Sequence, residues 1–416
     1  MNIAWVVNIP LPDIANHLGI KGLPYGGWLI RLAKHIQNEK DCELTIFFPH
    51  EKKVNGIVLN GITYYSFNPN LKLNNCSVLE NILIANKYDI VHLNGTEFPF
   101  MHVIQNVCKK LGIHTVVSIQ GLISKISTHM QASLPFGVFY GKTLRNILRR
   151  DSVHNIQTKY YKRGLTEKRI LKDANHVIGR TTFDHAVTKL YNPKVKYYHH
   201  NESLRDSFYH SEWKIDSMDR HRIFVSQANY SIKGFHYVIE ALKDIVETYP
   251  NTHVYVSGST VLSMTGYKNK YLKSRYERYL IKLLRKYHLV NNVTFIGLIN
   301  EERMLNEYLK AHVYILPSTI ENSSNSLSEA MLLGVPSVAS YVGGTPDLLE
   351  HQLEGYLYQH DAPYMMAHFV KEIFSNDELA QKFSKNARSK ALHRHDVDKN
   401  TKRLLAIYKE IIEGAK

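Results

Sequence analysis

Glu321 and Glu329 stand eight residues apart in the stretch PSTIENSSNSLSEAMLLGVPSVASYVGGTPD, residues 317–347. The loop over 319–325 is apolar only at Ile320, and a short apolar run follows at Ala330, Met331, Leu332 and Leu333. Ser326 reads as a helix N-cap, with Glu329 three residues on completing a capping box. Gly334 then ends the helix and Pro336 prevents its continuation. A helix that starts at the carboxyl end of a parallel strand offers free N–H groups and the positive end of its dipole, which suits an anion. The pattern predicts a phosphate-sized hollow at Ser324, Asn325, Ser326 and Leu327, with a carboxylate on either side. A helix cap and a solvated loop acid are the plainer alternative for the pair.

The elements that must position these residues are legible as apolar runs. Residues 3–7, 44–48, 89–93, 115–119 and 177–180 read as strands in the first half, and 222–226, 254–257, 293–297 and 313–316 in the second. Helical stretches separate them, so the expected class is α/β, two doubly wound Rossmann-like domains whose ligands gather at strand carboxyl ends. The expected division is an N-terminal domain over 1–203, a polar aperiodic linker over 204–220, a second domain over 221–392 and a closing helix over 393–416. That helix carries Leu404, Leu405, Ile407, Tyr408, Ile411 and Ile412 as one apolar side. Gly26 and Gly27 precede a helix and permit close backbone approach to a ligand. No G-x-G-x-x-G occurs, which argues against a nicotinamide cofactor. Asn94, Glu97 and Gln120 fall at strand ends that face such a crevice.

The chain has 416 residues, 52 Lys and Arg against 37 Asp and Glu, and a formal charge of +15. That excess points to a polyanionic partner: nucleic acid, anionic membrane or phosphorylated substrate. Residues 141–172 form a basic block in which Arg145, Arg149, Arg150, Lys162 and Arg163 lie close to Phe139, Tyr160 and Tyr161. Such a block suits lipid headgroups or a diphosphate-linked lipid, and no RNA-binding signature accompanies it. A second basic stretch spans 263–288. Cys42, Cys76 and Cys108 are odd in number, lack metal-ligand spacing and fit buried thiols in a reducing cytoplasm. No apolar run reaches about 18 residues. Asp396-Val397-Asp398 reads as a helix start, where acids favour the dipole, so no metal ligands are assigned.

NSLSEAMLLGVPSVASYVGGTPDLL and the following EGYLYQHDAP resemble the retaining GT-B glycosyltransferases of family 4, also called glycosyl transferases group 1. The resemblance implies two domains facing across a cleft, with the last helix crossing back to the first. It implies a nucleotide-diphosphate sugar as donor substrate, UDP- or GDP-linked, with no metal or other cofactor. The acceptor would be a glycan or an undecaprenyl-linked glycan of a bacterial surface polysaccharide, reached at the inner face of the cell membrane. Glu321 would lie by the donor sugar, Glu329 on the ribose, Lys233 and Gly26-Gly27 by the diphosphate, and Gly297-Leu298 under the base. Gln120 and Gln227 stand where the family usually has His and Arg. Glutamine hydrogen-bonds but has no useful pKa, so Gln120 cannot act as a general base. A nucleotide-sugar epimerase shares this fold and is the rival enzyme reading; a basic nucleic-acid-binding protein is the non-enzyme one.

Overall fold

The computed structural model describes residues 1–20, 27–258 and 273–414. Gly26, and Lys268 and Lys270 of the second basic stretch, lie outside them. The contacts divide the chain into two compact units, one of residues 1–124, 162–205 and 395–416, the other of residues 125–161 and 206–394.

The first unit holds an eight-stranded sheet. In chain order its strands are β1 (Asn2–Val6), β2 (Glu43–Pro49), β3 (Asn55–Leu59), β4 (Ile62–Phe67), β5 (Ile90–Asn94), β6 (His114–Ser118), β7 (His176–Gly179) and β8 (Lys196–His199). Their order across the sheet is β3-β4-β2-β1-β5-β6-β7-β8, and every pairing except β3 with β4 is parallel. Alternate residues of β1 feed opposite faces: Ile3 and Trp5 join one core cluster, Ala4 and Val6 the other. The strand's period of two thus fills two layers at once.

The helix Val397–Glu413 covers the Trp5 face with Leu404, Ile407, Tyr408 and Ile411, one apolar stripe at helical spacing. Tyr408 is pinned there. Its hydroxyl accepts from Trp5 Nε1 at 2.9 Å and lies 2.6 Å from His92 Nδ1. Asp396 caps this helix by accepting from the Lys399 N–H.

The second unit holds β9 (Arg222–Val225), β10 (His253–Ser257), β11 (Val293–Gly297), β12 (Val313–Leu316), β13 (Ser337–Ser340) and β14 (Tyr356–Tyr358). All its pairings are parallel, in the order β11-β10-β9-β12-β13-β14. β9 and β12 are each buried throughout, as expected of a sheet covered on both faces. The stretch 206–220 belongs to this unit. It forms a short helix, Asp206–Tyr209, and buries Phe208 and Trp213, whose Nε1 donates to the Ala311 carbonyl at 2.7 Å. Both sheets are of the doubly wound, Rossmann-like kind.

Candidate active site

The strand order of the second unit selects where chemistry can gather. β9 is the first strand of its sheet, with β10 on one side and β12 on the other, so successive connections diverge there and leave a crevice at the carboxyl ends. The loops after β9, β12 and β13 are neighbours along that edge because their strands are.

Lys233 ends the 3₁₀ turn Ser231–Lys233 after β9, and Glu321 lies in the loop after β12. Lys233 Nζ meets Glu321 Oε1 at 2.5 Å, and Ser318 Oγ donates to the same oxygen at 2.7 Å. The two side chains are 24 % and 14 % exposed, so the pair is largely shielded yet open enough to meet a ligand. Its attraction is correspondingly stronger than that of a surface ion pair.

Two glycines hold the Glu321 loop from its flanks. Gly234 has φ +66°, and a Cβ there would lie 1.8 Å from the Pro317 carbonyl oxygen. Gly343 has φ +49°, and a Cβ there would lie 2.0 Å from the Glu321 carbonyl oxygen. Neither site accepts another residue without moving backbone. The loop is further tied by Thr319 N–H to the Ile232 carbonyl at 2.8 Å, Gly344 N–H to the Glu321 carbonyl at 3.1 Å, and Ser340 Oγ to the Ser318 carbonyl at 2.6 Å.

The helix after this loop is Asn325–Leu333, and its cap corrects the sequence reading. Ser324 is the N-cap, accepting from the Leu327 N–H at 3.3 Å, so Ser326 lies inside the first turn. Glu329 consequently sits too deep to complete a capping box and is buried within the helix. Ser326 is committed elsewhere: Tyr314 donates to its Oγ at 2.8 Å and Tyr308 to its carbonyl at 2.9 Å. Tyr314 also lies 3.0 Å from Ser226 Oγ. A line of hydroxyls therefore runs from the end of β9 to the helix start. Sequence reasoning missed Ser226, Tyr314 and Ser318; a position just past a strand end was the only signal for the two serines, and Tyr314, inside β12, gave none. Burial raises the Tyr314 phenol well above its ordinary pKa, keeping it a neutral donor.

Gly297 ends β11 with φ +78°, and Leu298 after it is exposed. Gly258, at φ +103°, has Gln227 and Asn229 side chains beside its α-carbon. Gln227 thus lies at the expected strand end without a cationic head.

In the first unit, Gly27 begins the helix Gly27–Gln37. Gln120 follows β6 close to Gly95 and Glu97, and the Gly121 N–H donates to Glu97 Oε1 at 3.2 Å. Burial raises the Glu97 carboxyl's pKa. Burial also pushes Glu167 up to about 7, although the Ser124 hydroxyl and the Ile123 and Ser124 N–H groups donate to it.

The basic block divides by environment. Arg145 is drawn inward, pairing with Asp151 at 3.3 Å and Glu277 at 3.4 Å. Arg163 donates to the Glu97 carbonyl at 2.7 Å and lies over the Phe98 ring. Phe139 is buried. Arg149, Arg150 and Lys162 remain exposed. Among the described residues no His, Cys, Asp and Glu cluster could hold a metal ion, and no helix is long and apolar enough to cross a membrane.

Comparison with known proteins bears on this second sheet directly. Residues 206–390 match the family Glycosyl transferases group 1. That span contains Lys233, Glu321, Glu329 and the hydroxyl line. An uncharacterized glycosyltransferase of Methanocaldococcus jannaschii is 26 % identical over 191 residues, which cover 46 % of this chain and 45 % of the relative. The matched part spans less than half the length of the curated relatives. The whole chain has the GT-B fold. Sucrose-phosphate synthase from Thermosynechococcus elongatus superposes with a TM-score of 0.70 at 16 % identity, covering 100 % of both chains. Anabaena HepE in complex with UDP and glucose gives 0.67 at 14 % identity, covering 99 % of this chain and 100 % of that one.

Proposed function

We propose that this chain is a retaining glycosyltransferase that moves a sugar from a nucleoside-diphosphate sugar to a glycan or lipid-linked glycan acceptor. The observation that carries the reading is the Lys233–Glu321 pair, made by the loops that lead into the helices Phe235–Thr248 and Asn325–Leu333, within the span that matches the glycosyltransferase family. The Lys233 ammonium and the first N–H groups of the latter helix take up the negative charge of the departing diphosphate, in place of a metal ion. Glu321 holds Lys233 in position and stabilises positive character at the sugar carbon. Glu329 receives the ribose, and the Gly297-Leu298 backbone receives the base. Gln120 hydrogen-bonds at the acceptor side without exchanging a proton. The departing phosphate oxygen takes the acceptor proton on the face it leaves, which retains the configuration.

The acceptor class proposed is a lipid-linked precursor of a bacterial surface polysaccharide, whose diphosphate suits a chain of charge +15. Uridine is the first donor base to test, because HepE is described with UDP. A thermal-shift panel of UDP, GDP, ADP, CMP and NAD, each with and without magnesium, tests the reading. A ligand at about 100 times its Kd adds roughly 2.7 kcal/mol. The expected result is a clear shift with one diphosphate, unchanged by magnesium. Silence across the panel would contradict it.

A further inference from the structure

Between Glu97 and Asp151 the chain carries no acidic residue. Within this stretch two short helices, Phe136–Phe139 and Leu144–Arg149, present much of their surface the wrong way round for a water-facing element. Polar groups face protein. Asn146 is fully buried, its Oδ1 accepting from the Arg275 N–H at 2.9 Å and its Nδ2 donating to Asp151 at 2.7 Å. Thr143 Oγ1 donates to the Lys273 carbonyl at 3.1 Å, and Arg275 Nε donates to the Gly137 carbonyl at 2.9 Å. Arg145 pairs inward with Asp151 and Glu277. Large apolar groups face out: Phe136 and Leu148 are each 77 % exposed, Leu144 65 % and Ile147 59 %. The Tyr140 ring packs 4.6 Å from that of Phe136 and is itself half exposed. Lys142, Arg149 and Arg150 are exposed around them.

We propose that this surface docks the protein onto an anionic lipid bilayer, with Phe136, Leu144, Ile147 and Leu148 entering the headgroup–acyl boundary and Lys142, Arg149 and Arg150 meeting anionic headgroups. The polar anchors on residues 273–277 fix the apolar groups outward, so the patch is built and held. Large exposed apolar groups concentrated in one short stretch mark an interaction surface, and apolar groups interspersed with cations match the interface of a charged membrane. A second copy of the chain is the poorer occupant, because twofold pairing of the patch would set its cations against one another with no acid from the same segment to offset them. The sense of such docking rests on the lipid-linked acceptor reading, yet lipid binding and donor binding are measured separately and either can fail alone.

The test is sedimentation of the full chain with vesicles of phosphatidylcholine alone or with about a third phosphatidylglycerol. Binding is expected on the anionic vesicles, weakened but not abolished by high salt. Each cation near such a surface contributes roughly fivefold, so Arg149→Glu with Arg150→Glu removes the preference for anionic lipid. Leu144→Ser with Leu148→Ser lowers binding at least about tenfold, while its thermal shift with nucleotide stays as in the unaltered chain. That shift also shows that the variant folds. Absence of vesicle binding overturns the proposal. So does a lipid-free dimer that Leu148→Ser dissolves, which would assign the patch to a second copy.

Discussion

Lys233 and Glu321 are 88 residues apart in the chain and 2.5 Å apart in the fold. A paired lysine at the start of a helix differs from a free one, because its ammonium is held in place before a diphosphate arrives and loses little freedom on binding it. Glu321→Gln keeps size and an acceptor oxygen while removing the charge. It is expected to lower turnover by about 10²–10³ and to leave diphosphate affinity within about threefold. Steady-state kinetics beside calorimetric binding checks this, and an equal loss in both would reduce Glu321 to a binding residue. At this scale the sequence revealed residue types better than partners. Glu321 and Glu329 could be singled out from local pattern and Lys233 only through the family resemblance, and nothing local couples Lys233 to Glu321. Ser326 reads as the cap from the sequence, but Tyr314 engages its hydroxyl and Tyr308 its carbonyl, contacts that only tertiary packing brings in, and Ser324 is the cap. Arg145 looked like a surface cation because Glu277, one of its two acids, lies 132 residues away.

At the scale of elements, the Glu321 loop is positioned by backbone contact more than by side chains. Gly234 meets the Pro317 carbonyl and Gly343 the Glu321 carbonyl, one from each neighbouring loop. Gly234→Ala is expected to cost about 2–4 kcal/mol, from a left-handed alanine plus overlap with the Pro317 carbonyl. Gly112 has a similar φ of +71° with no atom within 4 Å of an added Cβ, so Gly112→Ala should cost only about 1 kcal/mol. Urea denaturation of the two variants checks the difference, and equal losses would show that the close approach to Pro317 does not matter. Strands were readable here because buried parallel strands are continuous apolar runs. The antiparallel pair β3 and β4 was not, since no residue of Asn55–Leu59 is fully buried and the register shifts between Asn55 and Ile57.

For the whole molecule, the formal charge of +15 is less informative than where the charges are spent. Several buried histidines add a second global property. Burial lowers His92 to about 3, and His200, His236 and His312 to about 4, from an ordinary 6.5. A depressed folded pKa contributes stability that is present above 6.5 and lost as pH falls toward the folded value. Glu167, raised from 4.5 to about 7, acts oppositely: its contribution is present below 4.5 and lost as pH rises through 7. Burial also raises Glu97 and Glu240, but the lowered histidines, which include His176, His221 and His253, outnumber the raised carboxyls, so stability is expected to fall from about pH 6.5 to 4. Denaturant midpoints across that range check this, and a flat or rising profile would contradict it. The fold was legible at this scale from alternating strands and helices and from the apolar side of the last helix, of which Leu404, Ile407, Tyr408 and Ile411 are buried and Leu405 and Ile412 only partly so. The outward-facing Phe136, Leu144, Ile147 and Leu148 were not, because a sequence pattern shows that a helix has an apolar side but not which way it is turned.

The central claim is that Lys233, held by Glu321 at a helix start, binds the diphosphate of a sugar donor. Calorimetric titration of UDP and UMP into the unaltered chain and into Lys233→Ala tests it most directly. The unaltered chain should bind UDP about tenfold or more tightly than UMP, as expected for charge-assisted hydrogen bonds to the second phosphate. Lys233→Ala should erase most of that difference while changing UMP affinity little. An undiminished preference for UDP in Lys233→Ala would contradict the account, because the diphosphate would then be held elsewhere.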